Sequence, residues 1–297
     1  MIEPYVRASF GLGYAEYAGD PTEDAIDLCS FLISVSPSMG DHIVEAARDI
    51  GKWQGLKDTI VTRRDALTTK YMLQMKPLFA QLAKKSAHQI VKTVQPKEDD
   101  QSDILKILRG NMDDAEWAAV LQQAWQDANA EGSVQAMAML AAARDQPSIS
   151  LDHALAMNSS QVTMSDTDTA QWINKLLGGS AYDLSGDLQT AIDGGASYDQ
   201  LLQIAMVSIN DGQSASLVTD YMIGSEMTQG SLDQYRTEGM DWVEWLGEGS
   251  DDECTDFSNG GPNGDGTYEI DDPSYDDPPV HMNCRCALAP YFPDTTN

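Results

Sequence analysis

Basic residues are scarce in this chain: 18 lysines and arginines stand against 47 aspartates and glutamates, a formal net charge of −29. The shortage is uneven. Residues 1–110 carry 14 basic and 15 acidic groups, a net of −1, whereas residues 111–297 carry 4 and 32, a net of −28. Such asymmetry between halves means that they face different surroundings. The acid is spread over the whole C-terminal region, with almost no lysine among it. Two readings compete: a surface that repels nucleic acid and anionic surfaces, and a solvation device for a high-salt cell. The even spread favours the second, a halophilic host, because at molar salt the Debye length is only ~3 Å and self-repulsion is screened. Long apolar runs are lacking too. None reaches the ~18 residues of a membrane-spanning helix, and the longest apolar-rich stretch, Ile26 to Val35, is interrupted by Asp27 and Ser30. The N-terminus has no basic segment leading into an apolar block, which predicts a soluble protein made in the host cytoplasm, with no membrane contact. Histidine and cysteine number four each. With 297 residues, 42% of them hydrophobic, the chain can bury a core without disulfides and has the length of about two domains.

Hydrophobic spacing predicts a mainly α protein, with long helices in the N-terminal part and a small irregular α+β module at the C-terminus. Residues 1–40 read as an arm whose apolar segment, Leu28–Val35, ends at the turn signal Pro37-Ser38-Met39-Gly40. A short helix from Asp41 ends at Gly51. The clearest pattern runs from about Asp58 to Val94, where Ile60, Leu67, Tyr71, Met75, Leu78, Leu82 and Ile90 recur at threes and fours or their multiples. Pro77 lies inside it and predicts a kink or break. A polar connector, Pro96–Asp103, follows. Asp113 and Asp114 open a helix carrying Trp117, Leu121 and Trp125, which Gly132 separates from Val134–Ala143. Residues 147–168 read as a loop with a brief helical piece near Leu151–Met157. Helices at Thr169–Leu177 and Leu188–Ile192 stop at glycine pairs, 178–179 and 194–195. Ser197 caps Tyr198–Ile209, and Ala215–Tyr235 stays in helical register. Trp242–Leu246 alternates as a strand, and loop-forming residues dominate from Gly247 to Pro279. Three segments result: 1–110, an arm with amphipathic helices; 111–195, a helical middle region; and 196–297, the C-terminal domain.

Three of the four cysteines fall in the last 44 residues, beside a histidine, as Cys254, His281, Cys284 and Cys286. Thiolates and imidazole in a Cys₃His set suit tetrahedral zinc, and a loop-rich segment needs a staple. Cys284-x-Cys286 is tight for two ligands of one metal, so two other readings stand beside zinc: a disulfide from Cys254 to one of the pair, or free thiols. Cys29 reads as a small buried hydrophobe. The acidic loop around Asn263-Gly264-Asp265-Gly266 is only faintly similar to a calcium loop, lacking its full ligand series, and reads as a solvated loop without calcium. His42, His88 and His153 stand within helical patterns. No nucleophile elbow, zinc-protease helix or phosphate loop is present, so nothing points to an enzyme. The lysines and arginines of residues 57–85 form a basic stripe without interleaved aromatics, which reads as a solvated face or a surface for an acidic partner, not a nucleic-acid platform.

From Ser225 to Pro290 the chain resembles the C-terminal domain of the Mu-F-like minor head proteins of tailed viruses. In that family a glutamate-bearing helix leads to a strand with tryptophan, a Cys-x-x-Cys turn, an Asn-Gly loop and a closing Pro-Pro-x-His-Pro-x-Cys-Arg-Cys-x-x-x-Pro signature. Here Glu226, Gly239, Trp245, Cys254 and Asn259-Gly260 match in turn, and Pro278-Pro279-Val280-His281-Met282-Asn283-Cys284-Arg285-Cys286-Ala287-Leu288-Ala289-Pro290 matches the signature. Phe257 replaces the second cysteine of the turn and Met282 the proline after the histidine. The likeness covers about 65 residues closely. It implies a structural minor head protein bound to the portal protein at the portal vertex inside the capsid, aiding head assembly or DNA packaging and ejection. Contacts with major capsid or scaffold protein, and weak contact with packaged DNA, go with that place. Two rival expectations are a DNA-binding internal protein ejected with the genome and an enzyme or toxin-related module; only seven residues follow Pro290, which counts against the second rival.

Overall fold

A stripe of apolar side chains at alternating steps of three and four makes the first helix, α1 (Pro37–Thr93). Tyr71, Met75, Phe79, Leu82, Ala83 and Ile90 are all at most 2% exposed on one side of it, while Lys70, Lys76, Lys84 and Lys85 stand exposed. The computed structural model describes residues 37–93, 100–144, 162–211, 213–247, 252–262, 264, 266–273 and 276–293, with side chains of α1 described from residue 55. Residues 1–36 of the expected arm, with Cys29, half of the connector (96–99) and the brief helix at 151–157 with His153 lie outside those residues, as do Asn263 and Asp265. The expected turn Pro37-Ser38-Met39-Gly40 instead opens α1, where proline is tolerated in the first turn. The chain divides into two units, residues 1–59 and 60–297, and the account below concerns the second.

After α1 come α2 (Asp100–Asn111), α3 (Asp114–Ala143), α4 (Asp166–Asp193), α5 (Tyr198–Asp211) and α6 (Gln213–Thr237). Their starts follow local chemistry. Asp113 accepts from the backbone N–H groups of Ala115 and Glu116 ahead of α3, and Ser165 accepts from that of Asp168 ahead of α4. At α5, Ser197 and Gln200 bond reciprocally: the Gln200 N–H reaches the Ser197 hydroxyl and the Ser197 N–H reaches the Gln200 carbonyl. This is a capping box, which satisfies two orphan donors at once.

Four expected helix breaks do not occur. α1 runs unbroken through Gly51 and Pro77. Pro77 and the residue four before it, Leu73, are both exposed, so water can reach the carbonyl that proline leaves unpaired. Gly132 lies inside α3 because α6 crosses it at backbone distance. A Cβ there would stand 1.8 Å from the Met227 carbonyl oxygen, and one at Gly230 would stand 2.2 Å from that of Asn129. Gly178 and Gly179 continue α4, with the side chain of Ser214 seated against Gly179.

The helices share a core that draws Phe79 and Leu82 from α1, Trp117 and Leu121 from α3, Ile173 and Leu177 from α4, and Met222 and Ile223 from α6. Phe79 and Trp117 meet edge to face with ring centroids 4.7 Å apart. Beyond α6 stands a small antiparallel sheet in the order β2-β1-β3, from β1 (Trp242–Leu246), β2 (Thr267–Glu269) and β3 (Ala287–Pro290), with the short α7 (Asp252–Ser258) after β1. Val243 opposes Tyr268 on one side and Pro290 on the other, and Trp245 opposes Leu288. The molecule is thus mainly helical with a small three-stranded sheet and a cysteine cluster near its C-terminus.

Candidate metal centre

The sheet closes a second core, and the cysteines are part of it. Ala136 and Leu140 of α3, Leu232 and Tyr235 of α6, and Val243 and Trp245 of β1 pack with Cys254, Cys284, Cys286 and Leu288. The Tyr235 hydroxyl donates to the Leu288 carbonyl at 3.2 Å, which ties α6 to β3; burial pushes its pKa up from the ordinary tyrosine value.

Two chain segments deliver the predicted residues. α7 carries Cys254. The approach to β3 carries the others, through a turn in which the Cys284 N–H donates to the His281 carbonyl at 3.1 Å. Asn283 takes a positive φ of 64° in that turn, a conformation asparagine tolerates better than most residues. The result gathers the cysteines. The sulfurs of Cys254, Cys284 and Cys286 all lie within 4.8 Å of one another, and all three residues are buried. Cys254 Sγ and Cys284 Sγ stand 3.7 Å apart, far beyond the ~2.05 Å of a sulfur–sulfur bond. None of the three is joined in a disulfide, so that one of the three readings is not realised among them, and they lie close enough to bind one metal ion.

The mutually close set is the three cysteines, and His281 stands beside one of them. Its Nε2 is 3.1 Å from Cys254 Sγ, and its Nδ1 is 2.8 Å from the Met282 carbonyl oxygen. With the proton on Nδ1, where the carbonyl accepts it, Nε2 keeps its lone pair toward Cys254 Sγ; an outer partner of this kind fixes the tautomer and orientation of an imidazole. Electrostatics favour a thiolate within the set. Hydrogen bonding from the Cys286 thiol foremost, against opposing burial, lowers the Cys284 thiol to about 5, and thiolate is the form that binds metal. Phe257, three residues after Cys254, packs against Trp245 with ring centroids 4.9 Å apart and planes tilted by 31°.

One element of the site was misread from the sequence. Arg64 of α1, read there as one of a solvated basic stripe, is buried. Its Nε and Nη2 donate to the two carboxylate oxygens of Asp220 at 3.0 and 2.5 Å, and its Nη1 donates to the Cys284 carbonyl at 2.7 Å. Thr68 and Arg285 also reach Asp220, at 3.2 and 3.3 Å, and Arg285 pairs with Asp65 at 2.9 Å. Arg285 is the residue between the two cysteines. The segment that supplies two thiols is therefore clasped to α1 and α6 by a charged network, a bidentate arginine–carboxylate pair at its centre. The register of Arg64 was the available clue, because residues 64, 68, 71 and 75 share the buried side of α1.

Comparison with known proteins finds no matching family model, no matching characterised protein and no matching solved structure.

Proposed function

We propose that the chain is a structural minor head protein of a tailed virus, held by the portal protein at the portal vertex inside the head, and that its C-terminal module is stapled by zinc. The observation that carries the reading is the convergence of Cys254, Cys284 and Cys286, with His281 beside Cys254, within the segment that resembles the Mu-F-like signature. Two sulfurs ~2.3 Å from one tetrahedral zinc stand ~3.8 Å apart, and the Cys254–Cys284 separation of 3.7 Å fits that edge. Bound there, zinc would cross-link α7 to the approach to β3. The cysteines reach it from inside a core, and the recess that Cys286 lines holds only about 30 Å³. Closed thiolate-rich sites of this kind stabilise folds, whereas catalytic zinc keeps an open position.

Two experiments test the two halves of the reading. Metal analysis of the reduced, full-length protein should find about one zinc per chain, lost in Cys254→Ser and Cys284→Ser; an intact fold with no bound metal would overturn the staple. A cryo-EM map of the virion's portal vertex should show the chain inside the head on the portal, and copurification should yield a portal-sized ring complex. Decoration of the outer shell in hundreds of copies would overturn the placement.

A further inference from the structure

The lysines of α1 stand in an acid-free interval. From Ala66 to Thr93 there are five lysines and no aspartate or glutamate, in a chain with a net charge of −29. Along this interval α1 and α5 leave an open groove of about 670 Å³. Its lining on α1 extends from Thr68 to Lys84, which at 1.5 Å per residue is ~24 Å of helix axis. That is the length of a helix of roughly 16 residues, too long for a compact small molecule. The floor and lips are apolar: Met72 and Phe79 on α1 and Met206 on α5 line the groove, with Leu73 65% and Val207 63% exposed along it. Methionine-rich apolar grooves suit an amphipathic helix. Lys76 and Lys84 complete the lining, which includes no carboxylate, and neither lysine has an ion-pair partner among the described residues.

We propose that this groove docks an acidic amphipathic helix of a partner protein, whose apolar ridge covers Leu73 and Val207 and whose carboxylates meet Lys76 and Lys84. Nucleic acid fits less well: phosphates would meet the lysines but leave the methionines and Leu73 uncovered, and the one aromatic among the described lining residues, Phe79, is 1% exposed and closed to base stacking. A second copy of the chain also fits less well. Apart from Leu73 and Val207 themselves, the described helices expose Tyr182, Tyr198 and Leu217 as large apolar residues, one to a helix or nine positions from the next, so none presents a ridge at steps of three, four and seven. This inference stands apart from the zinc staple and from the portal placement.

The test uses the full-length chain and a synthetic, fluorescein-labelled helical peptide of about 16 residues, with leucine at every third or fourth position and glutamate between. Fluorescence anisotropy should show binding that Leu73→Glu and Val207→Glu each weaken about tenfold or more, a loss of at least ~1.4 kcal/mol. Both positions are exposed, and circular dichroism checks that the variants keep their helices. Lys76→Glu with Lys84→Glu should reject the acidic peptide and accept its lysine-for-glutamate counterpart. Failure of the acidic peptide to bind, equal binding of the basic peptide to the parent chain, or indifference to the lysine reversals overturns the proposal. So does a duplex DNA probe held through Lys76 and Lys84 in place of the peptide, or a dimer of this chain that Leu73→Glu dissociates.

Discussion

Glu226 shows what a single buried carboxyl does to the energetics of the helical core. It lies on α6, 3% exposed, with the Asn129 amide donating to it across from α3 at 2.8 Å. Burial foremost raises its carboxyl to about 8; the Asn129 hydrogen bond opposes the rise, and the charges of Asp233 and Asp168 add to it. The folded chain therefore holds a proton that the unfolded chain releases near 4.5. A raised folded value means that the stabilising contribution is complete below the unfolded pKa and is lost as pH climbs through the folded one. Glu226→Gln keeps an acceptor for Asn129 and removes the titration. The variant should gain on the parent between about pH 4.5 and 8, by about 1.4 kcal/mol per pH unit, read from urea unfolding at several pH values. A gain that does not change with pH would assign the titration elsewhere. Asp220 poses the opposite case, a charge that is buried and paired. Asp220→Ala leaves the Arg64 guanidinium without its carboxylate in the interior, and loss of one member of such a pair costs about 3–5 kcal/mol. Pairing Arg64→Met with Asp220→Leu should cost less than either change alone, which a double-mutant cycle measures directly. Additive losses would mean that the two side chains do not act as a unit.

At the scale of elements, the same residue types carry opposite meanings according to what stands opposite them. Pro77 denies α1 one donor at an exposed position, so Pro77→Ala restores a backbone hydrogen bond where nothing crowds it. A gain of about 1–3 kcal/mol is expected, seen as a higher urea midpoint at unchanged slope; no gain would mean that the helix depends on the proline. Gly132 looks equally replaceable by propensity, since alanine is the better helix former by about 1 kcal/mol. The Met227 carbonyl occupies the space, however, and Gly132→Ala must push α3 and α6 apart, costing about 1–3 kcal/mol or more. The contrast marks what was legible in the sequence. Periodicity revealed the buried stripe of α1, the strand Trp242–Leu246 and the Ser197 cap, because each is written within a few adjacent residues. Gly132 and Gly179 read as breaks because the backbone and side chain that fill their notches come from a helix far along the chain. β3 escaped notice as four residues ending in Pro290, which an edge strand tolerates and a sequence pattern does not announce. The cysteine cluster was visible because thiols are rare in this chain. Its clasp was not, because Arg64 and Asp220 are 156 positions apart and a lone polar residue reads as surface by default.

For the whole molecule, charge sets the conditions under which these contacts suffice. The net of −28 over residues 111–297 is spread over exposed positions such as Asp166, Asp187, Asp193, Asp199 and Asp233. Their mutual repulsion opposes compaction, and salt screens it: the Debye length falls from about 10 Å at 0.1 M to about 3 Å at 1 M. The Arg64–Asp220 pair is buried and far less screened, so salt removes the repulsion without dissolving the clasp. Melting temperature should therefore rise from low to molar potassium chloride. Preferential exclusion of salt would raise the melting temperature of any protein to some degree, and the two causes separate by neutralisation. Replacing several of the exposed aspartates with asparagine should lift the melting temperature most at low salt and flatten its rise toward molar salt. Parallel curves for the parent and the neutralised variant would mean that repulsion among these acids is not what the salt relieves.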